Sequence, residues 1–194
     1  MNNYPEYAEV NGKRYKINTD FRIAIECNRI AEDDSIGDFE RALAIIYVLY
    51  GEEGLNDTDN QVELLEIAQK YLLCGKEYEN NNEKPDMNFI EDMDYIEASF
   101  MSDYHIDLSN MKMHWWRFFN LMNGLSNSEM GNCCVLNRIR NLRNYDVSSI
   151  KDKKERDKII KAQKEVALKE NKKESHLTKE QEKSMEELNR IIGI

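Results

Sequence analysis

The sequence predicts a mainly α-helical protein: a compact helical domain of about six helices with an N-terminal β-hairpin and a projecting C-terminal helical arm. Three observations lead there. Only 2 prolines and 8 glycines interrupt 194 residues in which Leu, Ile, Glu, Lys, Asn and Met are plentiful, a composition that favours helix. Apolar residues recur at three- and four-residue spacing through successive segments, the signature of helices with one buried face. "YAEVNGKRYKI" instead alternates apolar and polar residues on both sides of Asn11-Gly12, a strong hairpin signal.

The hairpin spans about residues 7–17, with Val10, Tyr15 and Ile17 able to share a face. Two strands alone are marginal in water, so that face must lie on something else, and the next helix in the chain is the obvious candidate. This first helix begins after Asn18 or Thr19 as a cap, with Asp20 near the positive end of its dipole. Phe21, Ile25 and Ile30 mark its apolar side. A second helix runs from Asp38 to Tyr50 with Phe39, Leu43, Ile46 and Tyr50 in register, and "GEEGLNDTDN" reads as a loop. A third, about 59–78, carries Val62, Leu65, Ala68, Leu72 and Leu73. "NNNEKPD" is a loop, because the residue before Pro85 prefers extended geometry.

Residues 88–104 form the next helix through Phe89, Met93, Ile96 and Phe100, and "HIDLSN" ends it, offering Ser109 or Asn110 as the next cap. In the aromatic stretch "HWWRFFNLMNGL", Trp115, Phe118, Phe119 and Met122 stand at i, i+3, i+4 and i+7 and read as core, while Trp116 sits on a flank. That offset makes Trp116 a candidate to line a partner groove. In "NCCVLNRIRNLRN", Leu136 with Ile139, or Val135 with Leu142, supply the apolar contacts, and Arg138, Arg140 and Arg143 give the other surface a basic character. The body is assigned to 1–146 and the charged arm to 147–194. In the arm, apolar residues thin out to Ile159, Ile160, Val166 and Leu168, then Leu177, Met185, Leu188, Ile191 and Ile192. Such helices have little to bury alone and tend to dock on partners, which makes Ile159, Ile160, Leu188 and Ile191 further candidates for partner binding. "TKEQ" at 178–181 matches a capping box for a separate last helix.

Charge narrows the functional classes. Residues 1–146 hold 14 basic and 27 acidic side chains, and 147–194 hold 13 and 10, so a body of −13 and an arm of +3 sum to −10. An acidic body repels a phosphate backbone, so no nucleic-acid partner is expected. The longest apolar run, "ALAIIYVLY", is far short of a membrane span and the N-terminus lacks a signal-peptide pattern, which together predict no membrane partner and a cytoplasmic protein. Cys27, Cys74, Cys133 and Cys134 contain no CxxC pair and suit free thiols in a reducing compartment. His105 between Asp103 and Asp107 lacks any metal-site spacing, and neither GxSxG, GxGxxG nor a P-loop occurs. No catalytic, cofactor-binding or metal residue is therefore expected, and the chain is not read as an enzyme.

"YAEVNGKRYKINTDFRIAIE", "HIDLSNMKMHWWRFFNLMNGL" and "YDVSSIKDKKERDKIIKAQKEVAL", in this order, resemble the gene-product-fifteen family of bacteriophage and prophage proteins of Gram-positive bacteria. The most specific element is the His-Trp-Trp-basic-Phe core at 114–118, followed by Leu121 and Gly124-Leu125. Genes of this family usually lie between those for the major tail protein and the tape-measure protein of long-tailed phages, the position of tail-assembly chaperones. The resemblance thus implies a cytoplasmic chaperone, absent from the mature virion, that binds the tape-measure protein and helps tail-tube assembly. The major tail protein and a homo-oligomer are further implied partners, and a minor tail or connector component of the virion is the alternative. No catalytic residue and no cofactor is implied.

Overall fold

The computed structural model describes residues 4–77, 84–127 and 133–169, and in them the chain is mainly helical behind a two-stranded antiparallel hairpin. Strands β1 (Tyr7–Val10) and β2 (Lys13–Lys16) pair with Tyr7 opposite Lys16 and Val10 opposite Lys13. Asn11 and Gly12 both take positive φ, 50° and 78°, as a tight hairpin turn requires. Ala8, Val10, Tyr15 and Ile17 are buried on one face. The hairpin packs mainly on the second and third helices, where the sequence expectation has the first, and a polar network fixes it there. The Tyr15 hydroxyl donates to Asp57 (2.6 Å) and accepts from Asn60 (2.9 Å), whose carbonyl takes an Asn11 amide at 2.8 Å.

Helix α1 (Phe21–Ala31) is capped by Asp20 itself, whose carboxylate accepts the Arg22 amide at 3.0 Å, so the cap falls one residue after Thr19 and two after Asn18, the expected positions. Its buried line is Phe21, Ala24, Ile25, Cys27 and Ile30, packed on α2 (Asp38–Asn56). The loop expected at "GEEGLNDTDN" is mostly helix, because α2 resumes after a break at Gly51 and continues to Asn56. Gly51 takes φ 69° and ψ −161°, which glycine tolerates without strain. The break frees the carbonyl of Leu49, which accepts the Asn18 amide at 2.8 Å. Phe39, expected on the buried face, is 73% exposed, since α2 buries Ile45, Ile46, Leu49 and Tyr50 instead.

A 3₁₀ turn at Thr58–Asn60 leads into α3 (Gln61–Leu72), shorter than the expected 59–78. It ends in a Schellman motif, with Cys74 at φ 54°, Cys74 N donating to Tyr71 O and Gly75 N donating to Lys70 O. Its buried line is Leu64, Ala68 and Tyr71 at i, i+4 and i+7. Val62 stands about 200° around the helix from Leu64 and is 70% exposed, contrary to the sequence expectation.

Helix α4 (Met93–Tyr104) starts five residues later than expected. The turn before it is closed by Asn88, whose side-chain oxygen accepts the Ile90 and Glu91 amides. His105 ends α4 in the left-handed region at φ 55°. Helix α5 (Trp115–Asn123) is capped by His114, not by Ser109 or Asn110. Trp115 and Phe118 occupy the centre of the core, while Phe119 and Met122, expected there too, are half-buried at its edge. Phe118 stacks between Phe21 (4.5 Å) and Phe100 (5.2 Å), and Phe89 meets Trp115 edge-on at 5.6 Å.

Helix α6 (Val135–Asn144) buries Leu136 and Asn137 and packs on α4. Its expected basic outer surface reduces to Arg138, because Arg140 pairs with Asp86 (3.1 Å) and Arg143 with Asp92 (2.7 Å). Beyond a 3₁₀ turn at Val147–Ser149, α7 (Lys153–Val166) packs on α6. The described part of the expected arm therefore lies against the body. Gln163 donates to the carbonyls of Leu142 (3.0 Å) and Tyr145 (2.8 Å), Arg143 Nε donates to Val166 O (2.7 Å), and Leu168 is 2% exposed. These donors satisfy carbonyls that helix ends leave unpaired, which holds a helix of modest apolar area in place. The last helix expected after Thr178 lies outside the described residues.

Candidate partner-binding surface

The two tryptophans show what "HWW" does. Helix α3 leaves its last carbonyls without intrahelical partners, and adjacent indoles reach adjacent ones: Trp115 Nε1 donates to Leu72 O and Trp116 Nε1 to Tyr71 O, both at 2.9 Å. His114 works in the opposite direction. Its Nδ1 accepts the Trp116 amide at 3.1 Å as the cap of α5, so Nε2 carries the proton and donates to Pro5 O at 3.0 Å, with Tyr4 stacked on the ring at 5.0 Å. Three consecutive side chains thereby fasten the N-terminal segment, α3 and α5 together. Sequence spacing misses this, because the indole partners are backbone carbonyls over 40 residues away.

Trp116 is half-buried, with its ring against Tyr71 (6.3 Å) and Tyr4 (6.4 Å). Ile159 and Ile160 are half-buried on α7, a different part of the fold, and Leu188 and Ile191 lie outside the described residues. The structure thus places Trp116 against α3 and the isoleucines on the helix beside α6, without assembling them into one site.

A more open surface lies on the other side of α1 and α2. Phe39, Leu43 and Tyr47 stand at i, i+4 and i+8 along α2, with Phe39 and Tyr47 73% and 51% exposed and Leu43 half-buried. Tyr47 leads into an open cleft of about 1040 Å³, between Ile23 and Glu26 of α1, the break at Gly51 and the segment Lys112–His114. Hydrogen-bonded backbone segments frame the cleft. Phe21 N donates to Met113 O and Trp115 N to Thr19 O, tying the start of α1 to the start of α5, while Asn18 is held by Leu49 O. Lys16 and Lys112 stand with Glu26 and Glu52 around the apolar floor. Exposed aromatic rings beside a cleft with a charged rim are the ingredients of a protein-binding surface.

The polar clusters are committed to the fold. Asp107 accepts from Ser109 and Asn110, and Asp103 accepts the Ser126 amide, so the carboxylates beside His105 hold turns. No group of three or more His, Cys, Asp or Glu side chains is arranged for a metal ion among the described residues. The cysteines are free thiols, and burial pushes Cys27 and Cys74 up to about 12, far from a reactive thiolate near neutral pH. Cys134 caps α6, its sulfur accepting the Asn137 amide at 3.4 Å. No helix of the described residues is long and apolar enough to cross a membrane.

No curated protein and no solved structure matches the chain. The family model described as Bacteriophage Gp15 protein matches residues 1–168, a span that includes the hairpin, the His-Trp-Trp fastening and α7, and the chain belongs to that phage family.

Proposed function

We propose that this phage protein is a tail-assembly chaperone that binds the tape-measure protein in the bacterial cytoplasm and releases it as the tail tube forms. The observation that carries the reading is the exposed Phe39–Leu43–Tyr47 ridge beside the α1–α2 cleft. An unpaired apolar ridge next to a groove suits an amphipathic helix, whose anchors recur at i, i+3, i+4 and i+7. A tape-measure chain, as the family resemblance implies, is long and apolar, and it must stay unaggregated until tube subunits surround it. Membership of the phage family supports the same role, since the resemblance implies a gene position between the major tail and tape-measure genes.

Co-expression with the downstream tape-measure protein tests it. The wild-type chain keeps the partner soluble and co-purifies with it, whereas Phe39→Ser with Tyr47→Ser leaves the chain folded and loses the complex. Retention of the complex by that double variant would remove the ridge from the reading. Recovery of the protein from purified particles, rather than only from lysate, would favour a minor tail or connector component instead.

A further inference from the structure

We infer that the lysine face of α7 docks on the acidic α2–α3 face of a second copy of this chain, joining copies head to tail. The inference does not rest on the tape-measure reading.

Residues 153–166 hold six cations (Lys153, Lys154, Arg156, Lys158, Lys161, Lys164) against three anions (Glu155, Asp157, Glu165). Arg143 and Gln163 fix which side of the helix meets the body, and Arg156, Ile159, Ile160, Gln163 and Val166 are half-buried. The opposite side presents Lys154, Lys158 and Lys161 at i, i+4 and i+7, all exposed and none in an ion pair among the described residues. A basic row held on an acidic protein is a recognition surface whose side chains make no ion pair among the described residues.

The complementary surface is on the same chain but a different part of it. No lysine or arginine occurs between Arg41 and Lys70, while Glu52, Glu53, Asp57, Asp59, Glu63 and Glu66 all fall in that stretch. Lys13 reaches across to Asp57 and Glu53, but Glu52, Asp59, Glu63 and Glu66 are exposed and have no cationic partner among the described residues. Val62, 70% exposed between those glutamates, adds an apolar centre. Helix α7 is clamped to α6, and α2 and α3 pack on each other and on α1 and the hairpin, so the two faces belong to separate packing groups. Complementary charge favours their meeting between molecules. Two different faces make a heterologous contact, which propagates into a chain or a ring instead of closing at two copies.

The test is mass in solution by sedimentation velocity across salt, with Lys154→Glu/Lys158→Glu/Lys161→Glu and Glu52→Lys/Glu63→Lys/Glu66→Lys as opposing variants. All six positions are exposed, and circular dichroism checks the fold. If a reversal disturbs folding, glutamine at the same three positions replaces it. Wild type associates at 0.1 M salt and dissociates toward 1 M, as the Debye length falls from about 10 Å to about 3 Å. Each variant alone is monomeric. Mixed one to one, they associate again, because the intact pair of faces and the charge-swapped pair are both complementary; with glutamine at the same positions instead, the mixture stops at a dimer, because only one charged pair of faces remains. A wild type that stays monomeric at about 100 µM and 0.1 M salt, where even a ~10 µM contact would be populated, would overturn the inference. Unchanged association of either variant, a monomeric mixture, or a lysine face that binds anionic vesicles while the mass stays monomeric would overturn it equally.

Discussion

Replacing Arg143 by alanine should be among the most damaging single changes available in this protein. Its side chain is 8% exposed and its guanidinium faces Asp92, 0% exposed, through two hydrogen bonds of 2.7 Å. It also donates to Asp86 O at 2.8 Å and Val166 O at 2.7 Å, so one side chain joins the turn before α4, the end of α6 and the end of α7. Asp92 has one other donor among the described residues, the Asn88 amide at 3.1 Å. Removing Arg143 leaves that carboxylate buried without its counter-charge, which costs about 3–5 kcal/mol. A domain of this kind has roughly 5–15 kcal/mol in total, so the variant should fold but unfold at much lower urea. Asp92→Leu/Arg143→Met replaces both charges with apolar groups and should lose less than Arg143→Ala, since no unpaired charge remains. Urea titrations followed by circular dichroism measure both. Limited proteolysis reads the local consequence, with cleavage in α7 accelerated in Arg143→Ala. A loss under about 1 kcal/mol for the single variant, or a double variant as unstable as Arg143→Ala, would refute the reasoning.

Three other outcomes rest on individual atoms. The buried Tyr71 hydroxyl has no hydrogen-bond partner among the described residues, whereas that of Tyr50 donates to Leu64 O at 3.1 Å. Thermal unfolding should therefore show Tyr71→Phe neutral or up to about 1 kcal/mol more stable and Tyr50→Phe about 1 kcal/mol less stable; the same sign for both would contradict this. Trp115→Phe should cost roughly 2–3 kcal/mol and Trp116→Phe about 1, because Leu72 O has no other partner among the described residues while Tyr71 O also takes the Cys74 amide. A Trp116→Phe protein of wild-type stability with weakened tape-measure binding would instead assign that ring to the partner. Hydrogen bonds from Lys13 and Tyr15 hold Asp57 down to about 2, below its ordinary carboxylate value. Its contribution is thus complete above about pH 4 and lost as pH falls through about 2. Asp57→Asn should flatten that acid limb in a pH series of unfolding midpoints, and an unchanged limb would count against the network.

How far the sequence reaches is seen best in four places. Hairpin register and its buried face are legible because period-two alternation and an Asn-Gly turn admit one pairing. The aromatic face of α5 is legible for the same kind of reason, with Trp115 and Phe118 buried as their spacing predicts. Helix ends are less so. Glycines at 51 and 54 read as a loop, yet one breaks a helix and the other sits buried inside its continuation, because turn-forming composition does not reveal what packs nearby. The faces of α2 and α3 are misread at Phe39 and Val62 because each helix carries more apolar residues than it buries. Periodicity then permits two rotations, and only the neighbouring helix chooses. On the candidate surface, those same misplaced residues turn out to be the informative ones, since Phe39 is exposed where a core residue was expected.

Composition, periodicity and turn chemistry by themselves determined a helical acidic protein with an N-terminal hairpin and an aromatic centre, because these depend on contacts only a few residues apart. Tertiary structure decided everything that joins distant segments. It set two tryptophan N–H groups on the carbonyls at the end of α3, paired Arg140 and Arg143 of α6 with Asp86 and Asp92, and laid α7 against the body with its lysines outward. The physical reason is that an unpaired carbonyl or buried charge takes whichever partner the fold brings within about 3 Å, and no local pattern encodes which one that will be.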